Sequence, residues 1–504
     1  MHRHLIDLVE RLGRPRVCLV GDVMLDRYVF GDAERISREA PIQVLRVAYE
    51  ENRLGGAGSV ATNLLVLGAK VDVFAVIGRD EAGERILKDL RAQGARTAGV
   101  LRLKDRPTTV KTRFVGRAQH RISQQVLRVD QEDVRPIGRS DEDRLLAGIA
   151  RSLRRADAVL LSDYNKGVLT PRLTRTLIRR ARAAGVPVLV DPIFGRDYSK
   201  YRRATLITPN RVETEMSSGI PLTDPAAIRR AARHLLQAHA FEAVAITLDK
   251  DGAHLAVRGR PGQMVPTRPR VVYDNAGAGD MFISAMAIFV AAGESYLDAA
   301  RLANIAGGLE VEKFGVQTVS REEILRDLLG EVRRGGDKIR SLHNLLVDLG
   351  RHRSFGETIV FTNGCFDLIH PGHIAYFDFA AAQGDILVVG LNTDASVRRL
   401  KGPGRPVCDQ QSRARVLAGM EAVDYIVLFG EDTPDRLIRR VRPDVLVKGE
   451  DWRTKGVVGR QVVESYGGRV VFAPLLKGMS TTSLVERIRN ARGSSPGSRK
   501  GGAS

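Results

Sequence analysis

Residues 274–290 read DNAGAGDMFISAMAIFV, and this stretch decides the fold of the larger part of the chain. Gly277 and Gly279 flank Ala278, and Asp280 precedes a run in which Phe282, Ile283, Met286 and Phe289 recur at helical spacing. A helix that starts there leaves its first amides without intrahelical acceptors, and the glycines permit close approach to a ligand. Such amides can hold phosphoryl oxygens that gain charge during transfer, with Asp280 placed to take the proton of an attacking hydroxyl. Read alone, Asp280 is more often a plain helix cap, so the surrounding pattern has to decide.

Upstream, short β-branched and apolar runs at 17–20, 71–77, 158–161, 186–190, 206–208 and 243–248 predict buried strands, with helical patterns between them. One helix is expected over 171–184, capped by Thr170 with Pro171 at its first position. The alternation predicts an α/β fold with a largely parallel sheet covered by helices on both faces. A more β-rich interlude at 108–130 reads as a small lid. The segment GDVMLDRYVFGDAERISREAPIQV (21–44) follows the first strand and places Asp22 and Asp26 on the loop beyond its C-terminal end, where open sheets bind ligands. Carboxylates there can accept hydrogen bonds from sugar hydroxyls. In LGGAGSVATNLLVLGA (54–69), Gly55 and Gly56 stand just ahead of a helical run and allow a ligand near the backbone. TPNRVE (208–213) supplies Asn210 and Glu213, a polar pair after a strand, suited to organising magnesium-bound water near ATP.

A second alternation begins at 358, with strands expected at 358–362, 386–391, 425–428, 445–448 and 470–472. Its first unit, VFTNGCFDLIHPGHIAYFDFAAAQGD (360–385), runs from strand through turn into a helix whose Ile374, Phe377 and Ala381 are expected to face inward. His370 and His373 flank a Pro371-Gly372 turn, so both rings can converge on phosphate oxygens at the positive end of the helix. A metal site would need a third ligand at suitable spacing. Two core histidines would be the common explanation of an isolated pair.

At 504 residues the chain exceeds what one core usually organises. We expect a domain over 1–325, a charged linker over 326–356, a second domain over 357–492 and a disordered tail over 493–504. A net charge of +20 raises nucleic acid as a partner, but the excess is mostly Arg scattered along helices, and aromatics make up only 5% without interleaving among basic residues. A solvated basic surface with no nucleic acid bound is the expectation. Cys18, Cys365 and Cys408 lie far apart and odd in number, which argues against a disulfide framework and for a reducing compartment. No run approaches membrane-spanning length, so a cytoplasmic protein with no membrane contact is expected.

Over about residues 10 to 320, the ordered set GDVMLDRY, the glycine pair, TPN with NxxE, TLDKDG and GAGD resembles the ribokinase-like carbohydrate kinases. The resemblance implies a three-layer α/β sandwich with a small β lid, and Asp280 as catalytic base. It implies ATP and Mg2+ beside Asn210, Arg211, Val212, Glu213, Gly277, Ala278 and Gly279, with no direct metal ligand and magnesium held through water near Glu213. Asp26, Gly55 and Gly56 would face the sugar, and such kinases often pair as homodimers through the lid. Ser59 and Ala276 depart from the common pattern of the family, which carries Asn and Thr there.

Over about 357 to 490, TNGCFDLIHPGH, LNTDASVRRLKGPGRP, FGEDTPDRLI, PDVLVKGEDW and KGMSTTSL resemble the nucleotidyltransferases of the cytidylyltransferase type. That resemblance implies a Rossmann-like α/β domain in which His370 and His373 grip the phosphates of ATP. Lys401 and Lys448 would neutralise phosphate charge, Asn392 and Asp394 would line the mononucleotide pocket, and Ser480, Thr481 and Thr482 would contact phosphate at a helix start. The two halves in this order resemble the bifunctional enzymes of ADP-heptose synthesis. That implies phosphorylation of heptose 7-phosphate at the anomeric O1, removal of the 7-phosphate by a separate enzyme, then transfer of AMP from ATP to heptose 1-phosphate with release of pyrophosphate. Alternatives at this point are another sugar phosphate, CTP in place of ATP, or an N-terminal half that has kept sugar binding and lost catalysis.

Overall fold

The computed structural model describes residues 2–117, 124–195, 197–268, 270, 277–313, 317–334 and 338–474. Expectations for Ala276, Ser480, Thr481, Thr482 and the tail 493–504 lie outside them. The chain divides between Asp327 and Leu328 into two compact units.

The N-terminal unit contains β1 (Arg16–Gly21), β2 (Val23–Ile36), β3 (Gln43–Gly56), β4 (Lys70–Gly78), β5 (Arg96–Leu103), β6 (Val110–Arg117), β7 (Gln124–Gln131), β8 (Ala158–Ser162), β9 (Val188–Asp191), β10 (Leu206–Ile207), β11 (Ala243–Thr247), β12 (Ala253–Val257) and β13 (Gln263–Val265). Nine of them form one sheet in the order β13-β12-β11-β10-β9-β8-β1-β4-β5. It is parallel from β5 through β11 and closes with an antiparallel hairpin. All six predicted strands are present. They read as continuous apolar runs because both faces are covered. On one face the helices Arg139–Leu153, Pro171–Ala183 and Pro225–His239 bury Leu145, Ile149, Leu173, Leu177, Ile228 and Leu235 against the sheet. On the other, the helix Ala278–Ala291 packs over β1, β8 and β9 with Phe282, Ile283, Met286 and Phe289 buried. Thr170 caps its helix as expected, accepting from the Leu173 amide at 3.1 Å.

Chain order reverses about β1, whose neighbours β4 and β8 lie on opposite sides. The crevice beyond the C-terminal ends of these strands is therefore where a ligand site forms. The lid is larger than the sequence suggested. It is a four-stranded sheet, β3-β2-β6-β7, and half of it comes from residues 23–56. Asp26 is accordingly on a strand, paired opposite Arg53, and not on a loop. The reason lies in the pairing: β2 alternates too imperfectly to announce itself and is extended by its ladders to β3 and β6.

The C-terminal unit contains β14 (Ile339–Arg340), β15 (Ile359–Gly364), β16 (Ile386–Asn392), β17 (Tyr425–Phe429), β18 (Val445–Gly449) and β19 (Arg469–Ala473), all parallel, in the order β14-β17-β16-β15-β18-β19. Here the order reverses between β15 and β18. The stretch expected as linker is in large part folded structure of this unit. β14 extends the sheet edge, and the helix Leu342–Ser354 buries Leu345 and Leu349 against Ile359, Phe361 and Tyr425. Its polar pattern misled because Arg340 and Asp348 are buried as a pair, 3.0 Å apart. No helix among the described residues is long and apolar enough to cross a membrane.

Candidate active sites

In the N-terminal unit, Gly277 begins the helix Ala278–Ala291 at a φ of 100°, a left-handed conformation that glycine alone adopts cheaply. The amides that follow have no acceptor within the helix, and Asp280 stands among them in its first turn. Asp280 Oδ1 accepts from the Tyr164 hydroxyl at 2.5 Å. Burial pushes the Asp280 carboxyl up to about 6, opposed by hydrogen bonds from Tyr164 and Ser59 and reinforced by the charge of Asp26. A carboxylate poised near neutrality suits proton abstraction. Lys111, on the lid, places Nζ 6.0 Å from the centre of the Tyr164 ring, and burial lowers its ammonium pKa while Asp26 opposes.

Asp26 pairs with Arg113 at 2.6 Å across the lid. A Cβ at Gly55 would stand 2.5 Å from Asp26 Oδ2, and one at Gly56 would stand 2.5 Å from the carbonyl oxygen of Asp22. The glycine pair thus lets the lid strands close against the crevice wall. Asp22 corrects the sequence reading. It is 1% exposed, and its oxygens accept from the amides of Tyr164 (3.0 Å), Lys166 (2.9 Å) and Val168 (3.2 Å). Burial, then the charge of Asp163, raises its carboxyl to about 6. It ties two loops together and does not present a carboxylate to a sugar.

Asn210 and Glu213 lock each other in a reciprocal cap, Asn210 Oδ1 accepting from the Glu213 amide at 2.9 Å and Glu213 Oε2 from the Asn210 amide at 2.8 Å. Arg211 is held by Asp251 at 3.0 Å, and Val212 is exposed. The sequence reading missed Asp191, at the end of β9. Burial, then the charges of Asp280, Glu213 and Asp163, holds its carboxyl well above the ordinary range. Burial likewise raises Glu213. The charges of Asp280 and Glu213 thus both act on Asp191, although among the described residues no group of three or more His, Cys, Asp or Glu is arranged to ligate a metal ion directly. Tyr164 and Asp191 had one signal available in the sequence. Each sits where a buried strand ends, as Asp22 does.

In the C-terminal unit, β15 leads into the helix Pro371–Ala381, with His370 at its N-cap. The His370 and His373 ring centroids lie 3.9 Å apart with the planes tilted by 35°, and Phe366 meets His373 edge to face. Burial, then His370, lowers His373 to about 4, with Lys401 adding to the effect. Nδ1 of each ring is buried with no hydrogen-bond partner among the described residues. Of the helix positions expected inside, Phe377 is buried, whereas Ile374 is exposed beside the turn.

Lys448, at the end of β18, donates to Asn363 Oδ1 and lies 5.6 Å from the centre of the Trp452 ring. Burial lowers its ammonium to about 8, which Asp451 opposes. Lys401 is exposed, and its charge is felt at both His373 and Cys365. Asn392 is buried and donates to Ser396 Oγ at 3.0 Å. Asp394 accepts from the buried Arg413 at 2.6 Å, so its side chain braces two helices instead of lining an open pocket. Asp367, unremarked in the sequence reading, accepts from Arg405 at 2.7 Å and from the amides of Val407 and Cys408, which pins the KGPGRP loop beside the histidines.

Residues 14–323 match the pfkB family of carbohydrate kinases, and residues 361–486 match the cytidylyltransferase-like family. The chain is 45% identical over 475 residues to the bifunctional protein HldE of Geobacter metallireducens, covering 94% of this chain and 96% of that one. It is 43% identical to the HldE of Wolinella succinogenes, covering 95% and 98%. Among solved structures, Arabidopsis thaliana ribokinase complexed with ribose and ATP aligns with a TM-score of 0.51 at 20% identity, over 62% of this chain and 99% of that one. Escherichia coli phosphofructokinase-2 in complex with potassium aligns at 0.53 and 20%, over 64% and 100%. These two share the fold of the N-terminal unit.

Proposed function

Because the chain belongs to the bifunctional HldE proteins, with a pfkB-type carbohydrate kinase unit followed by a cytidylyltransferase-like unit, we propose that it catalyses two of the steps that make an ADP-sugar. The first phosphorylates heptose 7-phosphate at its anomeric O1 with ATP. The bisphosphate so formed loses its 7-phosphate by hydrolysis on a separate phosphatase, and the second step of this chain then joins AMP from another ATP to heptose 1-phosphate and releases pyrophosphate. The observation that carries this reading is the presence of both sites, in this order, on a chain that aligns almost end to end with proteins of that name.

In the kinase unit, Asp280 takes the proton of the sugar hydroxyl while the amides at the start of its helix hold the γ-phosphoryl oxygens. The lid sheet, bearing Asp26 and Lys111, covers the sugar and keeps water from competing as acceptor. Mg2+ would be held through water by Glu213 and Asp191, and would supply charge neutralisation on the phosphate chain. In the transferase unit the sugar phosphate itself is the nucleophile. His370, His373, Lys401 and Lys448 then stabilise charge that spreads over the α-phosphate and the departing pyrophosphate. Phosphorus NMR of the full-length protein with ATP and heptose 7-phosphate tests the first step: an anomeric phosphate signal should appear, and its absence would sink the reading. Supplying heptose 1-phosphate should then yield the paired signals of a sugar diphosphate.

We place the reaction in the cytoplasm, in keeping with three unpaired thiols. We further propose a homodimer formed through the lid. Val47, Tyr49, Val126, Leu127 and Val129 are exposed apolar residues on this sheet, whose edge strands are β3 and β7. Light scattering should give twice the chain mass of 55.3 kDa, and Leu127→Asp with Val129→Asp should return it to one chain. A wild-type monomer at micromolar concentration would rule the pairing out.

A further inference from the structure

The loop after β8 holds Tyr164 by more than its neighbours in sequence. Its amide donates to Asp22, as do those of Lys166 and Val168, so a carboxylate at the end of the neighbouring strand β1 fixes the loop. Within the loop Asp163 accepts from the Tyr201 hydroxyl at 2.7 Å, from Lys200 at 2.5 Å and from the Asn165 amide at 3.0 Å. Two buried carboxylates, each satisfied by several donors, therefore set where the Tyr164 ring stands. That ring points its hydroxyl at Asp280 Oδ1. Burial, then the charge of Asp280, keeps the phenol pKa well above its ordinary value, so it remains a donor at any working pH.

We propose that Tyr164 is a positioning residue for sugar phosphorylation: its hydroxyl fixes one oxygen of Asp280 and leaves Oδ2 to take the proton of the attacking sugar hydroxyl. The inference rests on Asp280 being the base, as read above. In the step itself the sugar O–H bond breaks toward Oδ2 and the freed oxygen pair forms the bond to the γ-phosphorus. The bridging P–O bond then breaks with its pair leaving on ADP, and Asp280 later gives the proton to solvent. The groups that face Asp280 are the donors Tyr164 and Ser59, the cation Lys111, and the carboxylates Asp26 and Asp191. A carboxylate between two others binds its proton more tightly when a donor is removed.

The test is Tyr164→Phe in the full-length protein, with kcat/KM for the sugar 7-phosphate followed from pH 5.5 to 9. The sign follows from the hydrogen bond. It favours the ionised carboxylate, so its loss raises the pKa of Asp280 and moves the acid limb upward, by about one pH unit. Activity should fall about tenfold at pH 6 and recover to within about threefold at pH 8.5, with the KM for ATP unchanged. An unmoved acid limb, or a loss equal at every pH, would overturn the proposal. Should the Phe variant misfold, 3-fluorotyrosine at position 164 keeps the ring and supplies a stronger donor, and the acid limb should then move downward; no movement is the contrary result. A wild-type enzyme that fails to phosphorylate the sugar would sink the functional reading, whereas an active enzyme indifferent to both changes at 164 sinks only this inference.

Discussion

Asp280→Asn lowers kcat for sugar phosphorylation by about a thousandfold or more, while adenylyl transfer by the same protein stays within about twofold of wild type. Asparagine keeps an oxygen where Asp280 Oδ1 accepts from Tyr164, so the helix start and the loop after β8 should hold their geometry. What disappears is the group that receives the hydroxyl proton, and positioned bases contribute roughly 10²–10⁴-fold. The upper part of that range applies, because the native carboxylate is poised near 6 by burial and so is both ionised at neutral pH and basic enough to use. A thousandfold loss corresponds to about 4 kcal/mol of transition-state stabilisation. The transferase is spared because it folds around its own sheet and its own core, built from residues beyond Leu328. Parallel single-turnover assays of both half-reactions on one preparation check this. Loss of both in a folded protein would mean that the two sites are not independent.

The division into two units was legible in the sequence because each half repeats one simple signal, an apolar run too short for a helix followed by a glycine- or proline-marked turn. Such runs are buried on both faces in parallel sheets, so little else about their surroundings matters, and the strands from β8 to β11 fell where expected. The placement of Asp280 and of the histidine pair was legible for a related reason: each stands at a helix start, which local sequence specifies through Gly277 and Pro371. Groups whose role depends on a distant partner were not. Asp22 reads as a free loop carboxylate until the amides of residues 164 to 168 close on it, and Asp394 reads as a pocket residue until Arg413 claims it. Neither partner lies within any window that periodicity inspects. The strand β14 failed for want of length, since two residues carry no alternation, and the stretch around it reads as charged linker because its polar side chains pair with each other inside the fold. Sequence pattern therefore recovers the architecture and the helix starts on which the candidate residues stand, while the polar contacts around those residues belong to tertiary structure.

The complementary expectation is that His373→Ala costs adenylyl transfer roughly a hundred- to thousandfold and leaves sugar phosphorylation untouched. With the rings 3.9 Å apart and His373 lowered to about 4 by burial and by His370, neither charge nor hydration favours two imidazolium ions in the free enzyme. His373 therefore meets ATP as a neutral ring that donates one N–H, and the charge that builds on the leaving pyrophosphate raises its affinity for a second proton. An interaction that strengthens along the reaction should show in kcat more than in the KM for ATP. The contrary pattern, a raised KM with kcat unchanged, would make His373 a simple anchor of the ground-state phosphates. Alanine also removes the edge-to-face contact with Phe366, so thermal melting of the variant must accompany the kinetics. His373→Gln preserves a donor at similar reach and cannot gain a proton. If it retains ground-state binding of ATP yet loses most of the rate, the proton affinity of the imidazole, and not its bulk, is what the HPGH turn contributes.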